Sequence, residues 1–258
     1  MMIRIFIGII LLSFSLALKA QNSLSKIFFE VGYSQQNVKM ENLNRYFIDS
    51  FAFKINDLSS HIEKGQNIYI KFKIRPKSFF DIGVFIETQS SKVTSKPILK
   101  TLDEDLNLIM TEGLYSLAIR STNIGIANTW YLNQILRFNR ENKFLDRLDF
   151  GIDALLGIGL PYVVSEFHNT AVKPISISQS KWYSKDLFGK IGISLEYYFL
   201  KKTIFSSLGL IAGYQFYKTK TLTNRLGRNW EAPEYAVYKP INLDFSGLYY
   251  GIYLKIGK

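Results

Sequence analysis

Between residues 148 and 160 the chain alternates without interruption. Leu148, Phe150, Ile152, Ala154, Leu156, Ile158 and Leu160 hold one parity; Asp149, Gly151, Asp153, Leu155, Gly157 and Gly159 hold the other. Successive side chains of a strand point to opposite faces, so this pattern predicts a strand with one apolar face. The other face is rich in glycine and carries two carboxylates. That suits a cramped polar interior better than a solvated surface, where Lys, Thr and Glu would be expected.

The same code recurs along the chain. Ile27, Phe29, Val31 and Tyr33 alternate with Phe28, Glu30, Gly32 and Ser34. Ile68, Ile70, Phe72 and Ile74 alternate with Tyr69, Lys71, Lys73 and Arg75, and Phe80, Ile82, Val84 and Ile86 with Asp81, Gly83, Phe85 and Glu87. Comparable runs follow at residues 190–199, 207–216 and 247–256. An eighth strand, at residues 115–132, is less regular: its apolar parity runs Tyr115, Leu117, Ile119 and then switches to Ile124, Ile126, Trp130. A one-residue slip exchanges the two faces, so a β-bulge near Ser121–Asn123 is the expected cause. Eight strands satisfy the even count of single-chain bacterial barrels; a hairpin at residues 46–55 would make ten.

Connection lengths alternate in step. Long segments at residues 35–67, 90–113, 161–186 and 219–241 are separated by tight ones at 76–78 and 201–202 and a medium one at 133–147. Short turns on one rim and long loops on the other define the outer-membrane barrel plan, with both termini on the short-turn side. The expected fold is therefore all-β: an antiparallel up-and-down transmembrane β-barrel of eight strands, occupying residues 21–258.

Composition agrees with an inside-out barrel. Sixteen Tyr and twenty Phe coexist with a mean hydropathy of +0.03, as expected of an apolar exterior, a polar lumen and aromatic belts. Arg4, the apolar stretch from Ile5 to Leu18 and the small Ala20 before Gln21 read as a signal peptide over residues 1–20. Its removal would take away Arg4 and Lys19 and lower the formal charge from +11 to +9. There is no cysteine, so a core or a membrane must hold the exported chain together without disulfides. The basic excess is spread without a run of five or six, and for an exported chain nucleic acid is not an expected partner.

The aromatic-Gly strands such as Phe150-Gly151-Ile152-Asp153, the Ala20-Gln21 junction and the last strand Phe245-Ser246-Gly247-Leu248-Tyr249-Tyr250-Gly251 carry a resemblance to the small eight-stranded outer-membrane β-barrels, the PorT-like and OmpX/OmpA-barrel families. The resemblance implies an outer-membrane location and, for its PorT-like side, a role assisting secretion or envelope assembly.

The inward parity collects a mixed charge set: Glu30, Asp81, Glu87, Asp149, Asp153 and Glu196 against Lys71, Lys73, Arg75, Lys190 and Lys255. An eight-stranded interior is just wide enough for side chains to fill, so these charges are expected to pair and plug the bore. The alternative is a narrow channel or small-ligand transporter lined by Lys71, Lys73 and Arg75. Catalytic, cofactor and metal sites are not expected. His61 and His168 fall in long loops; Ser165-Glu166-Phe167-His168 could serve a lipid A-modifying enzyme, but a triad is set by geometry and not by sequence adjacency. Asp103-Glu104-Asp105 lacks the Gly and downstream Glu of a calcium loop and reads as a solvated acidic turn. Function beyond structure is expected in the loops. Trp230, Tyr235 and Tyr238, with Arg225 and Arg228, are the binding candidates, the aromatics reading equally as an upper aromatic belt, while Trp182 and Tyr183 read as belt. Lys181, Lys185, Lys220, Arg225 and Arg228 suit anionic lipopolysaccharide at the rim. The expected partners are therefore outer-membrane lipid and lipopolysaccharide and an envelope or secretion protein.

Overall fold

A computed structural model describes residues 26–45, 61–95, 98–102, 108–136, 145–169, 176–200, 205–234 and 237–257. Residues 1–20, 46–55 and 103–105, the turn at 201–202 and Tyr235 lie outside these. The strands are β1 (Lys26–Asn37), β2 (Lys64–Lys77), β3 (Phe80–Ser95), β4 (Ile98–Leu102), β5 (Leu108–Tyr131), β6 (Leu148–Asn169), β7 (Ser176–Tyr183), β8 (Asp186–Leu200), β9 (Phe205–Phe216), β10 (Glu231–Glu234), β11 (Val237–Pro240) and β12 (Gly247–Gly257).

Eight of these close into an antiparallel barrel. The ladder runs β5-β3-β2-β1-β12-β9-β8-β6, and β5–β6 pairing closes the ring. β4 continues β3 along β5 in the same register, from Ser95↔Tyr115 to Ile98↔Glu112. β7 likewise leads into β8 along β6, from Tyr162↔Tyr183 to Gly159↔Asp186. These two long hairpins rise beyond the rest of the wall. β10 and β11 form a separate hairpin in the last long connection. The barrel thus has eight strands, as its alternation predicts.

Side-chain placement is inside-out. On β1, Phe28, Glu30, Ser34 and Gln36 are buried, whereas Ile27, Phe29, Val31 and Tyr33 are exposed. On β2, Asn67, Tyr69, Lys71 and Lys73 are buried and Ile68, Ile70 and Phe72 exposed. Only an apolar medium tolerates such an exterior, and only a closed ladder leaves no unpaired backbone edge inside lipid. Along β6 the outward apolar positions run from Phe150 to Leu160. At ~3.3 Å per residue and a tilt of ~40°, that band is about 25 Å high, the height of an outer-membrane hydrocarbon belt. The chain is an outer-membrane β-barrel that crosses the bilayer with strands.

Glycines on the inner wall make room for tyrosine rings. The ring of Tyr253 lies against Gly209, its paired residue on β9, and that of Tyr69 against Gly32, its paired residue on β1. A Cβ at either glycine would run into the ring. The glycine-rich inner parity therefore marks a filled interior.

The expected bulge near Ser121–Asn123 is absent. Pairing is unbroken from Phe80↔Trp130 to Ser95↔Tyr115 on one side of β5 and from Gly113↔Asn169 to Tyr131↔Gly151 on the other. Tyr115, Leu117, Ile119, Ser121 and Asn123 all point inward. What changes is the surroundings. Below this level the exterior meets lipid and the lumen is polar; above it the exterior meets water and the lumen is apolar. β3 shows the same reversal: Val84 and Ile86 face outward below, Lys92 and Thr94 above, where Val93 is buried. The register shifts that do occur lie at the tight-turn rim, between Ile74 and Lys77 and between Tyr198 and Leu200.

Candidate functional site

All eleven charged positions of the inner parity line the lumen, at three levels. Nearest the tight-turn rim, Asp81 receives a bidentate contact from Arg75 (Nε–Oδ1 2.5 Å, Nη2–Oδ2 3.0 Å) and the Lys255 ammonium at 2.8 Å. Lys255 also lies 3.2 Å from Glu196 Oε1. The hydroxyls of Tyr131, Tyr198 and Tyr253 donate to Glu196 at 3.0, 2.8 and 3.0 Å. The Arg75 guanidinium sits over the rings of Tyr131 and Phe28, 4.2 and 4.8 Å from their centroids. Asp149 lies toward the same rim and accepts from Asn133 Nδ2 at 2.8 Å and Gln134 Nε2 at 3.2 Å.

In the middle, Glu30 bridges two lysines: Lys71 Nζ at 2.7 Å and Lys73 Nζ at 2.8 Å. Lys73 donates on to Thr129 Oγ1 at 2.9 Å, and that hydroxyl donates to Asp153 Oδ1 at 2.7 Å. Above them Lys190 meets Glu87 at 2.5 Å, and Glu87 also accepts from Asn123 Nδ2 at 3.0 Å. Opposite charges pair within each level: Arg75 and Lys255 with Asp81 and Glu196, Lys71 and Lys73 with Glu30 and Asp153, Lys190 with Glu87; the sixth carboxylate, Asp149, is held by the amides of Asn133 and Gln134. A buried charge without a partner costs several kcal/mol, so pairing and hydrogen bonding of this kind are what let the interior fill. An amide layer follows, in which Gln215 Nε2 donates to Gln89 Oε1 at 3.1 Å and Gln89 Nε2 donates to Gln36 Oε1 at 3.2 Å. Gln36 and Gln215 both donate to the carbonyl of Phe245.

That carbonyl belongs to the last long connection, which folds back over the barrel mouth. Phe85, Phe188, Tyr217 and Phe245 form an aromatic layer on the amides, with Phe188 edge-on to Tyr217 and Tyr217 stacked on Phe245 at 4.9 Å. Above them Leu117, Ile119 and Val163 from the wall pack with Leu222, Ile241 and Leu243 from the connection. The first connection adds Val38, Met40, Leu43 and Ile62. Backbone bonds tie the cap together: Trp230 N–H donates to Leu222 O at 2.7 Å, Ile241 to Trp230 O at 2.8 Å, and Met40 to Asp244 O at 3.2 Å.

The loop candidates divide. Arg225, Arg228 and Tyr238 are exposed, Tyr238 at 69%. Trp230 is only 4% exposed and stacks on Trp182 at 5.9 Å and 13°. Neither tryptophan serves as expected: both are consumed by the apolar cap, Trp230 not as a surface anchor and Trp182 not as lipid-facing belt. Sequence reading missed this core because its residues come from three connections and the upper wall, none of which alternates against lipid. Of the possible triad, Ser165 bonds to Tyr115 OH at 3.2 Å. Strand alternation puts positions 165 and 168 on opposite faces of β6.

No protein-family model matches the chain, and no curated protein matches it. Among solved structures it is similar to Ail, the attachment invasion locus protein of Yersinia pestis, in complex with the heparin analogue sucrose octasulfate (11% identity, 90% of this chain and 98% of that one, TM-score 0.40). It is also similar to the outer membrane protein OprG from Pseudomonas aeruginosa (10% identity, 91% and 96%, TM-score 0.40). A third is a major outer membrane protein from Thermus thermophilus (10% identity, 90% and 100%, TM-score 0.37).

Proposed function

We propose that this outer-membrane barrel is closed to solutes and non-enzymatic, and acts as a structural or partner-binding protein through its external surface. The observation that carries the reading is the continuous filling of the bore: three levels of paired charge, an amide layer and an apolar cap. A solute path would have to break several buried ion pairs, each costing about 3–5 kcal/mol when one partner is removed, and then cross a hydrophobic core. What the barrel offers to partners is outside: Arg225, Leu226 and Arg228 at the loop tip and Tyr238 on the β10–β11 hairpin. An envelope or secretion protein is the partner class that a surface on this rim would meet.

Planar-bilayer recording tests the closure. Protein whose gel migration shifts on boiling should add no discrete conductance steps. Discrete steps from wild-type protein would move the function to transport. Incubation with lipid A followed by mass analysis addresses enzymatic modification: an unchanged lipid mass is expected, and a lost or added acyl chain would refute the non-enzymatic assignment.

A further inference from the structure

The reversal of polarity brings together, on one side of the outer wall, a set of cations that the sequence scatters over ninety residues. The last apolar rung across β3, β5, β6 and β8 is Ile86–Ile124–Ile158–Leu187. One rung higher come Thr88, Thr122 and Leu160, with Lys185 exposed in the short link before β8. The next is Ser90–Arg120–Tyr162–Tyr183, and the next Lys92–Ala118–Val164–Lys181. Lys92, Arg120, Lys181 and Lys185 are all exposed, and the four cations surround two outward tyrosines whose ring centroids are 6.5 Å apart. Arg120 Nη1 donates to Tyr162 OH at 3.4 Å, which leaves most of its five N–H donors facing outward.

Three features give this patch a chemistry. Its height is fixed: it starts one rung, or about 7 Å along the strand, above the last wholly apolar rung, where lipid headgroups lie. Its charge is uncompensated, since these rungs carry no acidic side chain and among the described residues none of the four cations makes a salt bridge; the next outward acid up β6 is Glu166, one rung above Lys181 and opposite Gln179. Its width is three strand spacings, about 14 Å from Lys92 to Lys181. The opposite wall at the corresponding end presents the uncharged pair Gln35–Tyr250, bonded to each other at 2.8 Å.

We propose that Lys92, Arg120, Lys181 and Lys185, with Tyr162 and Tyr183, form a site for the headgroup of an outer-leaflet lipid bearing more than one phosphate. The tyrosines cover the glycerol or sugar part and the cations neutralise separated phosphates, Arg120 in the bidentate geometry that suits them. The proposal rests on the membrane placement of the barrel and is independent of whether the lumen conducts.

The test uses the full-length protein in phosphatidylcholine nanodiscs doped with lipid A, with lipid A retained per barrel counted by native mass spectrometry across a titration. At about 1 kcal/mol per surface cation, the K92A/R120A/K181A variant should lose affinity on the order of a hundredfold. K39A/K239A, which removes two exposed cations outside the patch, should bind as wild type does. Dephosphorylated lipid A should lose preference over phosphatidylcholine on the unaltered protein, so the proposal can be judged without any variant. Excess inorganic phosphate should not displace the lipid. Equal retention by the triple variant, equal binding of dephosphorylated lipid A, or displacement by free phosphate would each overturn the site. Failure of the wild-type protein to shift in heat-modifiable migration would instead overturn the barrel placement on which it rests.

Discussion

The Lys190–Glu87 pair reports whether the lumen is dry. The two side chains are 3% and 1% exposed, the contact is 2.5 Å, and among the described residues no third charge is within ion-pair distance of either. Lys190→Met leaves Glu87 with one neutral donor, Asn123 Nδ2 at 3.0 Å. In a water-excluded interior, stranding a charge in this way costs about 3–5 kcal/mol. In a hydrated bore the same pair behaves like a surface ion pair and its loss costs about 0–1 kcal/mol. With a urea slope of about 2 kcal/mol/M, the dry case lowers the unfolding midpoint by roughly 2 M. Removing the second charge as well, in Lys190→Met/Glu87→Gln, should restore at least ~2 kcal/mol, since a pair replaced on both sides loses its attraction and its desolvation cost together. The assay is equilibrium urea unfolding in lipid vesicles, read by tryptophan fluorescence and by heat-modifiable migration. A single-variant cost below ~1 kcal/mol, with no recovery in the double variant, would refute the dry-lumen reasoning and the closure built on it.

Further outcomes follow from the same packing. Gly209→Val drives a side chain into the ring of Tyr253 and should cost about 1–3 kcal/mol in the same unfolding assay, as overpacking does; a neutral effect would mean the ring is not seated on the wall. Trp230→Ala removes the ring stacked on Trp182 and should cost the cap about 3–5 kcal/mol. Trypsin added to the external side should then cleave at Arg225 or Arg228 faster while the barrel keeps its heat shift, and an unchanged cleavage rate would count against a packed cap. Tyr238→Ala, at a position 69% exposed, should leave stability within about 0.5 kcal/mol, and a larger loss would show that this ring is packed.

The barrel was legible because lipid imposes one rule on every strand: outward positions must be apolar wherever hydrocarbon touches them. Ile68, Ile70 and Phe72 obey it, and so do Phe150 through Leu160, which is why strand number and facing were readable from alternation. The rule lapses where the wall leaves the bilayer. Tyr115, Leu117 and Ile119 then look like residues on the wrong face, and a slip in register was the natural reading, although the strand runs straight and only its surroundings change. Partner identities inside the lumen, such as Glu30 between Lys71 and Lys73, depend on which strands are neighbours across the ring. Trp230 was misread for a related reason: a loop aromatic looks exposed until the wall and the other connections that cover it are in view. The outer patch needed register too. Lys181 and Lys185 stood out among loop charges, but Lys92 and Arg120 lie within strands and join them only through β5–β6 pairing.

The reversal of polarity along β3, β5 and β6 also bears on how the protein reaches its place and stays there. Lys92, Arg120 and Lys181 belong to the external side, so during biogenesis they must be carried across the hydrocarbon on a wall still finding its neighbours. Spontaneous entry would therefore face a steep kinetic barrier, and a catalysed route is favoured. Once through, the same barrier works as a ratchet: withdrawal toward the periplasm would drag the charged rungs, and the folded cap behind them, back through lipid. Orientation in the membrane is thus locked by the strands themselves.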